Sequence, residues 1–161
     1  MFRAKLCAMA AVGTWLAAAD LAGAGSYDII DLSKGGLVAV DVAHIQRTGS
    51  IARAWSIDLL PDGKLREDGR VLRGFVGLDE YDCAALTSRH VYVTGYSASG
   101  AALGTESKPS EWEPVTPDTN GDQERRIACG ETPPTENPLD ISFADLVTAY
   151  DGLLAKGEVS P

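Results

Sequence analysis

The residue types that carry catalysis are present in this chain, but their spacings do not assemble a reaction. Gly95-Tyr96-Ser97-Ala98-Ser99 comes nearest to a nucleophile elbow, the sharp strand-to-helix turn that exposes a serine hydroxyl for acyl transfer. It lacks glycine at the last position, and the flanking pattern is that of a hairpin. Asp118-Thr119-Asn120-Gly121-Asp122 has the texture of a calcium loop, yet it lacks the alternating acids before glycine and the glutamate at position twelve. Asp79, Glu80 and Asp82 offer carboxylates for acid–base work; spacing alone does not make them a pair, and their polarity suggests a turn. His44 and His90 fall in strand-like runs without neighbouring metal-ligand spacing. With two histidines and three cysteines, the common zinc sets are nearly out of reach. No phosphate-binding glycine loop or His-Glu-x-x-His occurs. The expectation is a non-enzymatic protein without cofactor or metal.

Two further groups of residues suit binding or stapling. Tyr92 and Tyr96 alternate on one face of a strand opposite Val91 and Val93. One face must be core; the valine face is the better candidate, with Tyr96 partly buried, and the alternative is a tyrosine-lined contact surface. Trp112, between two glutamates, reads as a plug over the sheet edge or as a ligand platform. Cys83 and Cys129 are the pair left once the N-terminal segment is set aside. In an exported chain of this size such a pair reads as a structural disulfide, because no Cys-x-x-Cys tunes a thiol.

Export itself is legible. Arg3 and Lys5 precede an uncharged run from Leu6 to Ala19, and Ala22-Gly23-Ala24 supplies small residues for cleavage. That order describes a secretory signal over residues 1–24. The run is too short to span a bilayer, and Cys7 does not follow it, as a lipid-accepting cysteine would. No membrane insertion is expected after cleavage. The 161 residues carry 14 Lys+Arg and 23 Asp+Glu, a net charge of −9. Losing Arg3, Lys5 and Asp20 makes it −10. An acidic protein repels nucleic acid and anionic lipid, so neither is expected as partner.

The elements that must position these residues follow from periodicity. Residues 25–36 are small and polar with Gly35-Gly36, a lead-in. Strand-like runs follow at Leu37–Ile45, Ile51–Leu60, Val71–Leu78, His90–Ser97 and Ala101–Ser107, separated by turn residues such as Pro61-Asp62-Gly63. With no helical pattern between them, they predict an antiparallel meander. Thr119 and Asp122 form a capping box, and Gly130 a stop, for a helix over 120–129. That helix would return Cys129 to Cys83. Residues 130–138 are a Pro-rich linker. Phe143, Leu146, Val147, Tyr150, Leu153 and Leu154 then fall on one stripe of an amphipathic helix capped by Ser142 and Asp145. The stripe packs on its own sheet or docks on a second copy, giving a homodimer.

The combination resembles a known family. Tyr81-Asp82-Cys83 at a strand end, the Tyr96 to Gly100 hairpin, Trp112-Glu113-Pro114-Val115-Thr116-Pro117, and a short helix closing on Ala128-Cys129 resemble the surface-adhesin E-like family of small exported bacterial proteins, over about residues 37–130. The resemblance implies an α+β fold: an antiparallel sheet, a short helix tied to it by a Cys83–Cys129 bridge, and here an additional C-terminal amphipathic helix. It implies a protein partner, since the family's founding adhesin binds host matrix and serum proteins such as vitronectin and laminin. The expected organisation is a leader over 1–24, an adhesin-like domain over 25–130, and a linker with helix over 131–161. The expected location is the periplasm or the cell surface.

Overall fold

The computed structural model describes residues 25–159; the expected leader over 1–24 lies outside them. Nine strands and two helices occur among the described residues: β1 Gly25–Ser33, β2 Gly36–Asp41, β3 Gln46–Thr48, β4 Ile51–Leu65, β5 Val71–Asp82, β6 Thr87–Tyr96, β7 Ala102–Glu106, β8 Glu113–Pro114, α1 Asn120–Cys129, β9 Leu139–Ile141 and α2 Phe143–Lys156. All strands join one antiparallel sheet in the order β7-β6-β5-β4-β2-β1-β9, with β3 on β4 and β8 on β6. The fold is α+β, as the turn-punctuated runs predict.

Because strand residues alternate between faces, β4 divides the core in two. Ile57 and Leu59 point to one side with Leu37, Ala39, Val76 and Tyr96, where Phe143, Leu146, Val147 and Tyr150 of α2 cover them. Ala52 and Ala54 point to the other with Val40 and Tyr81, beneath Ile127 and Ala128 of α1. Each helix thus covers part of one face. The helical stripe read from the sequence packs on the chain's own sheet. Tyr150 is fully buried and donates to the Ser33 carbonyl at 2.7 Å.

The helix signals read from the sequence, Thr119, Ser142 and Gly130, are used as expected, and Gly157 adds a second stop. Thr119 and Ser142 accept from the Asp122 and Asp145 N–H groups at 3.3 and 3.2 Å. Gly130 and Gly157 close the helices in the left-handed conformation. Cys83 and Cys129 form a disulfide across 46 residues, fixing the end of α1 beside the end of β5. Arg47 adds to this anchor by donating to the Ala128 and Ile127 carbonyls at 2.6 and 3.0 Å, satisfying acceptors that the helix leaves open.

Three sequence expectations are corrected. The lead-in is strand β1, which pairs with β2 and, through Gly25–Tyr27, with β9; its alternation is broken by a bulge between Ile29 and Asp31. Pro61-Asp62-Gly63 does not reverse the chain: β4 runs on to Leu65, with an irregularity between Leu59 and Lys64. There Gly63 takes φ 69°, and the reversal comes at Arg66–Arg70, closed by the Arg66 N–H on the Arg70 carbonyl. Asp79, Glu80 and Asp82 lie within β5, and the first two are buried.

Candidate functional site

Buried carboxylates in a strand require partners, and the register supplies them. Glu80 stands directly across from Arg53 on β4 and Arg89 on β6. It is 3% exposed and accepts from Arg53 Nε at 2.6 Å on one oxygen and Arg89 Nε at 2.7 Å on the other. Burial would raise its pKa, but the hydrogen bonds from Arg89 and Arg53 win and hold it below the ordinary value. The row shares the α2 face of the sheet, beyond the reach of α2.

Next along the same face lies a half-buried step. Trp55, Leu78 and Tyr92 are cross-strand neighbours, and the Trp55 and Tyr92 rings meet edge-on, centroids 5.8 Å apart. Further on come Ile57, Val76 and Thr94, then Leu59, Gly74 and Tyr96, under the helix. The surface therefore grades from a charged row through aromatics into core. At its charged end, Gln46, Thr48, Ile51 and Trp112 join the row to line a cleft of about 370 Å³. Trp112 is 37% exposed, and the Arg89 guanidinium lies 4.6 Å from its ring centroid, within cation–π range.

On the opposite face, Asp79 accepts from Ser56 Oγ at 3.0 Å and bonds His90 Nδ1. That hydrogen bond raises the His90 pKa against the effect of burial. Tyr81 donates to Glu124 of α1 at 2.9 Å. Burial, with Asp79 and Asp58 close by, pushes Glu124 up to about 8 despite that bond. These groups tie α1 to the sheet. Among the described residues, no group of three or more His, Cys, Asp or Glu is placed to hold a metal ion.

The structure separates the residues singled out from the sequence. Tyr96 is buried against Phe143, centroids 5.2 Å apart, so the tyrosine face is core at this end and Tyr96 has no surface to offer a partner. A bulge at Val91 moves His90 off the face that holds Tyr92, which simple alternation did not foresee. Tyr92 and Trp112 do share the α2 face. Ser97 sits in the β6–β7 turn, where its hydroxyl meets Ser99 Oγ at 3.0 Å and the Ala101 N–H at 3.2 Å rather than a base. Asp122 is engaged with Arg125 and the start of α1. Sequence reasoning missed Arg53 and Arg89 as site residues and placed Glu80 on a turn; the available signal was Arg53 interrupting the period-two apolar run Ile51, Trp55, Ile57, Leu59.

Residues 28–130 match the family model of surface-adhesin protein E. The chain belongs to that family. Solved structures similar to this chain include two of protein E. Protein E of Haemophilus influenzae in its crystal form II has a TM-score of 0.47 at 19% identity, covering 65% of this chain and 88% of that one. Protein E of non-typeable Haemophilus influenzae gives 0.45 at 18%, covering 78% and 88%. Among curated proteins, none matches the sequence. Membership in the surface-adhesin protein E family implies an adhesin-like protein with a non-enzymatic role. The matched region of this chain ends with α1, at residue 130; β9 and α2 complete its sheet and core beyond that point. No helix among the described residues is long and apolar enough to cross a membrane.

Proposed function

We propose that this protein is an exported, non-enzymatic binding protein of the bacterial envelope that engages an extracellular protein of host matrix or serum. Residues 1–24 would be its cleaved leader, residues 25–130 the adhesin-like unit, and 131–161 the segment that covers one face. The single observation that carries this reading is the α2 face of the sheet. One end of it, from Tyr92 to the cleft at Trp112, lies outside the core cluster that the helix seals, with Trp55 partly buried at the cluster's edge. Half-exposed aromatics beside fixed arginines are the residue types enriched where proteins bind proteins. Family membership supports the same role.

The test is protease shaving of intact cells, with the protein followed by immunoblot and a periplasmic enzyme as control. Alongside it, the purified protein is assayed for capture of matrix and serum proteins. Degradation with the control intact, together with capture, is the expected result. Protection until the outer membrane is breached would make the protein periplasmic and overturn the host-directed reading.

A further inference from the structure

The cleft at the charged end of the α2 face is lined by two guanidiniums, the Trp112 indole, Gln46, Thr48, Ile51 and a single carboxylate. Its one carboxylate, Glu80, is already engaged on both oxygens. Nη2 of Arg53 and of Arg89 also lies on Glu80, at 2.5 and 2.6 Å, so each guanidinium gives one edge to the buried acid. A guanidinium has five N–H groups in a fixed fork, and the Nη1 side of each remains for another acceptor. The two side chains are 50% and 31% exposed. One carboxylate cannot neutralise two guanidiniums, so the row keeps a positive charge within a chain of net −9. Because Glu80 is buried and holds both arginines, their entropy of ordering is lost on folding rather than on binding. Trp112 fixes Arg89 from above, and Gln46 and Thr48 of β3 complete the wall. The apolar step of Trp55, Leu78 and Tyr92 adjoins the row directly.

We propose that this cleft takes an acidic segment of the protein partner: an Asp or Glu side chain seated on Arg53 and Arg89 between Trp112 and β3, flanked by an apolar side chain lying on Trp55 and Tyr92. The inference deepens the reading of the chain as a binding protein and rests on it. Two arginine forks match a carboxylate in both charge and plane. The neighbouring aromatic step selects a peptide over a bare anion, since inorganic phosphate has nothing to place there. At long range the acidic surface repels such a segment, but charges beyond about 8–10 Å are screened in physiological salt, so recognition is decided by the short contacts.

Selection of a random-peptide phage library on the purified protein tests this. Enrichment of sequences with Asp or Glu beside an apolar residue is the expected result. The best synthetic peptide should shift tryptophan fluorescence, and its Glu→Gln or Asp→Asn form should bind at least about tenfold more weakly. Thr48→Glu, which sets an acid on the cleft rim without touching Glu80, and Arg53→Gln, which leaves Glu80 its bond to Arg89, should each abolish the acidic enrichment while melting remains cooperative. Library enrichment without acidic bias, no enrichment, or two folded variants that bind as the parent does would each overturn the proposal. Inorganic phosphate displacing the peptide at equal concentration would assign the cleft to free anions and overturn it too. If the variants still capture a matrix or serum protein in full, the acidic-segment proposal falls and the binding-protein reading stands. If the parent captures none, that reading falls first.

Discussion

The Tyr81 hydroxyl donates to Glu124 Oε2 at 2.9 Å, joining the middle of the sheet to the helix that covers one of its faces. The bond lies in a buried setting with Asp79, Asp58 and His90 near it. Burial, the largest effect, pushes Glu124 from its ordinary 4.5 up to about 8, so the carboxyl is neutral at pH 7. A carboxyl raised on folding adds stability that is complete below pH 4.5 and lost as the pH climbs through about 8. His90, raised by Asp79, acts in the same direction above its ordinary 6.5. The melting temperature should therefore fall between pH 5.5 and 9, on the order of several degrees. Glu124→Gln, which keeps the shape, should flatten most of that slope. Parallel pH–melting curves for the two proteins would refute the assignment.

Reduction or Cys129→Ser should cost roughly 2–5 kcal/mol, since a loop of 46 residues is released in the unfolded chain. The helix α1 is otherwise held by the Tyr81–Glu124 bond, the Arg47 donors and a small apolar contact. Hydrogen exchange in α1 should rise ahead of exchange in β4 and β5. A variant melting within about a degree of the parent would contradict this.

On the other face, Phe143→Ala should cost about 3–5 kcal/mol by opening a cavity against Tyr96. Tyr150→Phe should cost about 1–2 kcal/mol, because the Ser33 carbonyl loses its donor. Denaturant titration measures both; a neutral Phe143→Ala would mean that α2 is not seated on the sheet.

Two glycines should respond in opposite directions. A Cβ at Gly74 would stand 2.3 Å from the Asp58 carbonyl oxygen, so Gly74→Ala must displace strand backbone and should cost about 1–3 kcal/mol. Gly152 lies inside α2 with open space where a Cβ would go, so Gly152→Ala should stabilise by about 0.5–1 kcal/mol. Chemical denaturation of the two variants compares them directly.

What was legible in the sequence was local. The α2 stripe, the N-cap residues Thr119 and Ser142, the Gly130 stop and the cysteine pair each depend on residues within a few positions or on a count, and each is found in the structure. What was not legible depends on neighbours brought together by register. Asp79 and Glu80 looked like turn residues because their partners Ser56, Arg53, Arg89 and His90 lie on other strands. The bulges at Ile30 and Val91 shift the alternation by one residue, which hid β1 and separated His90 from Tyr92. The Arg53–Glu80–Arg89 row is spread over 36 positions of the chain and exists only once β4, β5 and β6 have paired.

The pairing of Gly25–Tyr27 with Leu139–Ile141 has a consequence for the order of events in a newly made chain. Strand β1 leaves the ribosome well before its outer neighbour β9 and the helix α2 that seals Tyr27, Leu37 and Ile57. Until then one apolar side of the growing sheet has nothing to close over it. Closure of that half therefore waits until β9 and α2 have been made.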